Sequence, residues 1–166
     1  IEAPTGSLGM GLSFGNGIAL AGRKENLDFN VFLIVGDGEL QEGQVWEAAM
    51  TTAHYKLGNV CLLVDRNGYQ SQGCIDDLMG VEPLEDRFKS FGWDTARCDG
   101  HNTEELCNAL DKFTGEGDKP LAIICDTVKG KGISFMENTH VYHNFSLTEE
   151  QYQIAENDIL GMEQGV

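Results

Sequence analysis

Basic residues are scarce in this sequence of 166 amino acids. Eleven Lys and Arg stand against 27 Asp and Glu, a formal charge of −16. That balance argues against nucleic acid or an anionic membrane as the main partner, because both recruit basic patches. Long apolar runs are missing too, and none approaches the roughly 20 residues of a membrane-spanning helix. The five cysteines, Cys61, Cys74, Cys98, Cys107 and Cys125, show neither Cys-x-x-Cys spacing nor a paired framework. Such a dispersed, odd-numbered set points to a reducing compartment, the cytoplasm. The start, Ile1-Glu2-Ala3-Pro4, lacks an initiator Met and a signal-peptide pattern. It opens in mid-motif, so the expectation is a part of a longer polypeptide. There is no repeat, low-complexity stretch or internal linker. The length and a hydrophobic share of 41% suit one domain, residues 1–166, with a sizeable core.

What is present is an alternation of patterns. A glycine-rich helix is expected over residues 9–22, where glycines at 9, 11, 15 and 17 imply that something packs close to its backbone. An apolar strand follows at 31–35, then a glycine-bearing loop at 36–43 and a helix at 44–55 with Trp46, Ala49, Met50 and Ala53 at helical spacing. Trp46 reads as core or interface. A strand at 60–64 leads to a loop at 66–80, a short helix at 84–91 and a strand at 93–98. Asn102-Thr103-Glu104-Glu105 reads as a capping box opening a helix to 113. A strand at 121–128 and a final helix from Ser146 to about 160 complete the order. Strand and helix in alternation predict a three-layer αβα fold with a mostly parallel sheet. Ligands in such sheets bind beyond the carboxyl ends of the strands.

Three loops lie at those ends: 36–43, 65–73 and 129–143. Asp37 is flanked by glycines and is the most plausible metal ligand. Asn67 adds a neutral carboxamide oxygen, and main-chain carbonyls near Tyr69 add more. Mg²⁺ wants about six hard oxygens and takes only one or two from carboxylates. An Asp, an Asn, a carbonyl, a water and phosphate oxygens would complete that shell. In an acidic protein, a diphosphate must be neutralised locally by metal, Lys or backbone amides.

Residues 36–47, followed by Asp65-Arg66-Asn67, resemble the thiamine-diphosphate motif of transketolases. Residues 5–11 resemble that family's upstream cofactor loop. Thr127-Val128-Lys129-Gly130-Lys131-Gly132 and Tyr142-His143 resemble its downstream loop. The matches come in family order. The resemblance implies that Asp37, Asn67 and the Tyr69 carbonyl bind Mg²⁺. It implies that Gly38 offers its N–H to the diphosphate and that Gly6, Ser7 and Leu8 line the aminopyrimidine end. Lys129 and His143 would face the diphosphate and the substrate, with His143 also the candidate for hydrogen bonding or proton transfer in catalysis, and His140 a weaker one. Glu42 and Glu47 match acids near the family's dimer contact, but equally suit a helix N-terminus.

The family's chemistry is carried by thiamine diphosphate, through which a two-carbon ketol unit passes from a ketose to an aldose. A Glu that activates the cofactor belongs to a second, pyrimidine-binding domain that this sequence does not contain. The resemblance is therefore to the diphosphate-binding, N-terminal subunit of a split transketolase. A partner subunit or domain would complete the site, in a dimer of such pairs acting on a sugar or sugar phosphate. The readings left open are a deoxyxylulose-phosphate synthase, a 2-oxo-acid dehydrogenase subunit, and a non-catalytic module retaining the fold.

Overall fold

Four strands, three of them apolar runs, form one parallel sheet in the computed structural model, which describes residues 2–163. The strands are β1 (Val31–Gly36), β2 (Val60–Arg66), β5 (Asp94–Asp99) and β6 (Leu121–Asp126), in the order β1-β2-β6-β5. Val31 registers with Val60, Cys61 with Leu121, and Asp94 with Leu121 from the other side. That register leaves Gly36, Asp65 and Cys125 level with one another near the carboxyl ends, with Asp126 opposite Arg66. The chain reverses direction across the sheet between β5 and β6. The loops after β2 and β6 therefore come to lie side by side, as the Thr127 N–H donating to the Arg66 carbonyl at 3.1 Å records.

Alternating side chains sort into two layers of core, as a pleated strand requires. On one face, Val35, Leu62, Val64, Ala122 and Ile124 meet α1 (Met10–Lys24), α2 (Gly43–His54) and α4 (Leu84–Ser90) through Leu12, Ala19, Val45, Ala49, Leu84 and Phe88. On the other, Cys61, Ala96, Cys98, Ile123 and Cys125 meet α5 (Thr103–Leu110) through Leu106, Ala109 and Leu110. The three-layer expectation holds. The second face is covered only in part: Phe32 and Ile34 on β1 remain exposed, Phe32 touching Phe113 edge to face.

The close packing implied by the α1 glycines is real at two positions. A Cβ on Gly15 would lie 2.7 Å from Leu33 Cδ1, and one on Gly22 would lie 2.4 Å from the Phe29 ring. Gly11 and Gly17 face open space. Helices α1 and α2 are further joined by buried Asn16, whose amide donates to the Ala48 carbonyl at 2.9 Å and whose oxygen accepts the Thr52 hydroxyl at 2.7 Å.

Several boundaries differ from expectation. The first loop is structured as a 3₁₀ turn, Gly38–Gln41. The 66–80 loop contains a two-stranded ribbon, β3 (Tyr69–Gln70) with β4 (Gly73–Cys74), and a short α3 (Ile75–Leu78). Strand β6 stops at Asp126: the Thr127 N–H makes a last bond to β2 at the Arg66 carbonyl, and the Val128 N–H leaves the sheet for His101. At α5, Asn102 caps the N–H groups of Glu104 and Glu105, but Glu105 returns to the Asp99 N–H instead of closing the box on Asn102. The final helix, α6 (Glu149–Glu163), starts three residues after Ser146. Among the described residues, no helix is long and apolar enough to cross a membrane.

Candidate functional site

The β1 and β2 ends meet at Asp37. Its side chain is 2% exposed and accepts two backbone N–H groups, Gly38 at 2.9 Å through Oδ1 and Gly68 at 2.7 Å through Oδ2. Gly68 can present its N–H this way because its backbone is left-handed, with φ of +78°. Burial pushes the Asp37 carboxyl up from the usual range, the Gly68 and Gly38 amides pull it back, and the nearby Asp65 charge adds to the rise. A folded value above the unfolded one means that the stability tied to this group is full below the ordinary Asp range and is lost as pH rises through the folded value. At neutral pH the ionised, buried carboxylate is thus a cost that a bound cation would offset. Each carboxylate oxygen retains a lone pair beyond the bond it accepts.

Asn67 stands next to this carboxylate through Gly68. Its amide donates to Asp65 Oδ2 at 3.3 Å and its oxygen accepts the Tyr69 N–H at 3.0 Å. The structure therefore brings Asp37, Gly38, Asn67 and Tyr69 into one corner. Trp46 holds the 3₁₀ turn in place by donating Nε1–H to the Leu40 carbonyl at 2.8 Å while its ring packs on Phe88 and Phe91.

Asp65 is a residue whose role the sequence reading missed. Its Oδ1 accepts the Thr127 hydroxyl, its Oδ2 accepts the Asn67 amide, and its carbonyl accepts the Asp37 N–H at 3.1 Å. One residue thus ties the Asp37–Asn67 corner to the 127–132 loop that carries Lys129. A polar residue directly after an apolar strand was the available signal. Glu39 was missed likewise: its Oε1 accepts the Gly9 N–H at 2.8 Å and draws the 5–9 segment to the 3₁₀ turn. Gly9 has φ of +82° and would press a Cβ to 3.0 Å from Glu42 Cβ. In the 5–9 segment, Gly6 is surrounded by open space, the Ser7 N–H bonds to Thr5 Oγ1, and Leu8 is exposed.

Lys129 is half-buried and its carbonyl accepts the Asn138 N–H at 3.0 Å. His143 is exposed in a turn closed on the His140 carbonyl at 2.9 Å, beside the Phe135, Tyr142 and Phe145 rings. Among the described residues, no side-chain hydrogen bond or ion pair engages Lys129, His140 or His143. Among the described residues, no hydrogen bond or ion pair joins His143 to Asp37, Gly38, Asn67 or Tyr69. Glu42 and Glu47 are exposed and form no ion pair among the described residues. At the neighbouring strand ends, Arg97 grips Asp126 with two bonds of 2.7 and 2.8 Å and reaches Glu82 at 3.1 Å, and Arg66 joins Glu82 at 3.2 Å.

The donor set suits a hard cation with a diphosphate. No cluster of three or more His, Cys, Asp and Glu able to hold a metal occurs among the described residues. A cation here would take one carboxylate, neutral oxygens and phosphate, the set Mg²⁺ accepts. The wall of the turn is equally specific. A Cβ on Gly38 would lie 3.0 Å from Gln70 Cβ, and the buried Gln70 Oε1 beside it has no hydrogen-bond partner. An unpaired buried acceptor invites a donor such as a metal-bound water.

Comparison with known proteins agrees with this geometry. The profile of the transketolase thiamine diphosphate binding domain matches residues 1–165. The 6-deoxy-6-sulfo-D-fructose transketolase subunit SqwG of Clostridium sp. (strain MSTE9) is 41% identical over 93% of this chain and 56% of its own. One of the apulose-4-phosphate transketolase subunits, from Phocaeicola vulgatus, is 38% identical over 96% of this chain and 57% of its own. The chain therefore spans little more than half the length of these relatives. The transketolase of Campylobacter jejuni superposes with a TM-score of 0.87 at 31% identity, covering 96% of this chain and 26% of that one. With its parallel sheet, its glycine-flanked Asp37 and a match along nearly its whole length, the chain belongs to the family of transketolase thiamine-diphosphate-binding domains.

Proposed function

We propose that this chain is the diphosphate- and Mg²⁺-binding part of a transketolase-type transferase that moves a two-carbon ketol unit from a ketose to an aldose. A pyrimidine-binding domain with an activating Glu, on a partner subunit, completes the site. The observation that supports this reading is the clasp of Asp37 on the Gly68 N–H, which ties the segment of Asn67 and Tyr69 to a buried carboxylate. Relatives named as transketolase subunits support the transketolase reading over the synthase and dehydrogenase alternatives.

Asp37, Asn67 Oδ1 and the Tyr69 carbonyl hold the cation. The Gly38 N–H, which Asp37 Oδ1 accepts here, would be offered to a phosphate oxygen, another charged acceptor. Lys129 supplies a compact positive charge to the same diphosphate. Gly6, Ser7 and Leu8 line the aminopyrimidine end, and His143 hydrogen-bonds the substrate or assists its proton transfer. Thiamine diphosphate, when bound, supplies the nucleophile and the electron sink for the carbon–carbon bond change. The names of the two relatives specify a sulfonated ketose and a ketose phosphate. An anionic sugar is the substrate class that follows here. Five free thiols suit a reducing compartment, the cytoplasm.

The test is Asp37→Ala in the assembled enzyme. Mg²⁺-dependent binding of thiamine diphosphate, followed by calorimetry, is expected to disappear, and undiminished binding would overturn the reading.

A further inference from the structure

His101 sits in the turn between β5 and α5 and has no part in the site as proposed. Its Nε2 accepts the backbone N–H of Val128 at 2.8 Å. A ring nitrogen that accepts carries no proton, so this bond selects the neutral imidazole protonated at Nδ1. Val128 immediately precedes Lys129. The turn bearing His101 is itself firmly held. The Gly100 N–H donates to the Asp126 carbonyl at 2.8 Å, the His101 N–H to Asp99 Oδ1 at 2.8 Å, and the Asp99 N–H to Glu105 Oε2 at 2.9 Å. Gly100 has no room for a side chain, since a Cβ would lie 2.6 Å from Thr127 Cγ2. From the opposite side, Asp65 and the Arg66 carbonyl hold Thr127. Beyond Val128 the loop closes on itself, Lys131 N–H to the Val128 carbonyl at 3.1 Å and Asn138 N–H to the Lys129 carbonyl at 3.0 Å. The root of the Lys129 loop is therefore gripped from β2 by a carboxylate and from the β5–α5 turn by an imidazole.

We propose that His101 is a positioning residue: its neutral imidazole fixes the Val128 N–H and so sets the backbone from which Lys129 reaches the cofactor diphosphate. This rests on the role proposed above for Lys129. The bond is conditional by its chemistry, because an imidazolium has two donors and no acceptor. A protonated ring therefore cannot keep the grip, and the loss falls on a bond that no residue of the metal corner makes. The charged groups nearest this turn are Asp99 beside it, Glu104 and Glu105 on α5, Asp126 at the end of β6 with Arg97 of β5 bonded to it, Asp65 and Arg66 at the end of β2, and Lys129 and Lys131 in the loop.

The experiment compares wild type, His101→Ala, His101→Gln and Asp37→Ala in the assembled enzyme. Glutamine places an acceptor near the Nε2 position but does not titrate. Hydrogen exchange of the segment containing Val128 reads the grip, and binding of thiamine diphosphate and of free thiamine with Mg²⁺ reads its consequence. His101→Ala is expected to lose Val128 protection and to weaken the diphosphate about three- to tenfold, the worth of one hydrogen bond, leaving free thiamine unchanged. His101→Gln should restore both at neutral pH. On acidification, Val128 protection should fall in wild type but not in His101→Gln, and diphosphate affinity, which protonation of Asp37 lowers in both, should fall further in wild type. Unchanged protection in His101→Ala, or parallel pH profiles for wild type and His101→Gln, would overturn the proposal. Should Asp37→Ala retain diphosphate binding, the metal-corner reading fails by itself, while Val128 protection still decides the grip.

Discussion

Asp158 shows how little structure is needed to tie one element to another at the level of a single side chain. Its Oδ2 accepts both the backbone N–H and the hydroxyl of Ser134, at 2.8 and 2.7 Å, fastening α6 to the segment after the Lys129 loop. The Ser134 hydroxyl, then its N–H, hold the carboxyl below the usual range. A folded value below the unfolded one gives stability that is present above the ordinary Asp range and lost as pH falls through the folded value. Acid should therefore release α6 locally while the sheet stays intact. Hydrogen exchange along α6 is the measurement, with Asp158→Ala expected to show the released pattern already at neutral pH. A pH-independent pattern identical in the two proteins would contradict this. Legibility at this scale is uneven for a physical reason. Asp37 stands out in the sequence because glycines flank it, and glycine reports a backbone constraint. Asp65, His101 and Asp158 act through partners 62, 27 and 24 residues away, and no local pattern announces such partners.

Among the elements, α1 separates two uses of glycine that look the same in the sequence. Gly15 is buried against Leu33, so a methyl group there must displace a packed side chain. Gly17 is exposed over open space, where only helix propensity counts. Gly15→Ala should lose about 1–2 kcal/mol, overpacking outweighing the gain in propensity. Gly17→Ala should gain up to about 1 kcal/mol, or roughly 2–4 °C in melting temperature for a chain of this size. Thermal melts of the two variants decide it, and equal shifts would show that the helix does not pack as described. The central strands β2 and β6 were legible as apolar runs buried on both faces, whereas β1 and β5 at the sheet edges are buried only in part. The β3–β4 ribbon and the 3₁₀ turn were not legible, since each is set by single contacts such as Gly68 on Asp37 and Trp46 on Leu40 rather than by periodicity.

Across the whole molecule, charge and surface point the same way. A chain of net charge −16 repels a diphosphate at long range, so binding depends on a metal and on local donors. Exposed apolar side chains lie on β1 at Phe32 and Ile34, near the downstream loop at Val141 and Phe145, and on α6 at Tyr152, Ile154, Ile159 and Leu160. Apolar surface of this extent usually marks contact with other protein. Under the composite-site reading, the chain alone should bind thiamine diphosphate weakly and transfer no ketol units, and should co-purify with a polypeptide bearing a pyrimidine-binding domain. Full activity of the purified chain by itself would sink that reading. The sheet also divides the thiols. Burial pushes Cys61 and Cys125 up to about 12 and raises Cys98 as well, while Cys107 is exposed on α5. Alkylation needs an accessible thiolate, so a maleimide dye in slight excess lands first on exposed Cys107 of α5, ahead of half-buried Cys74. The protein thus carries a native attachment point for a fluorescent reporter, and its assembly can be watched without engineering a cysteine.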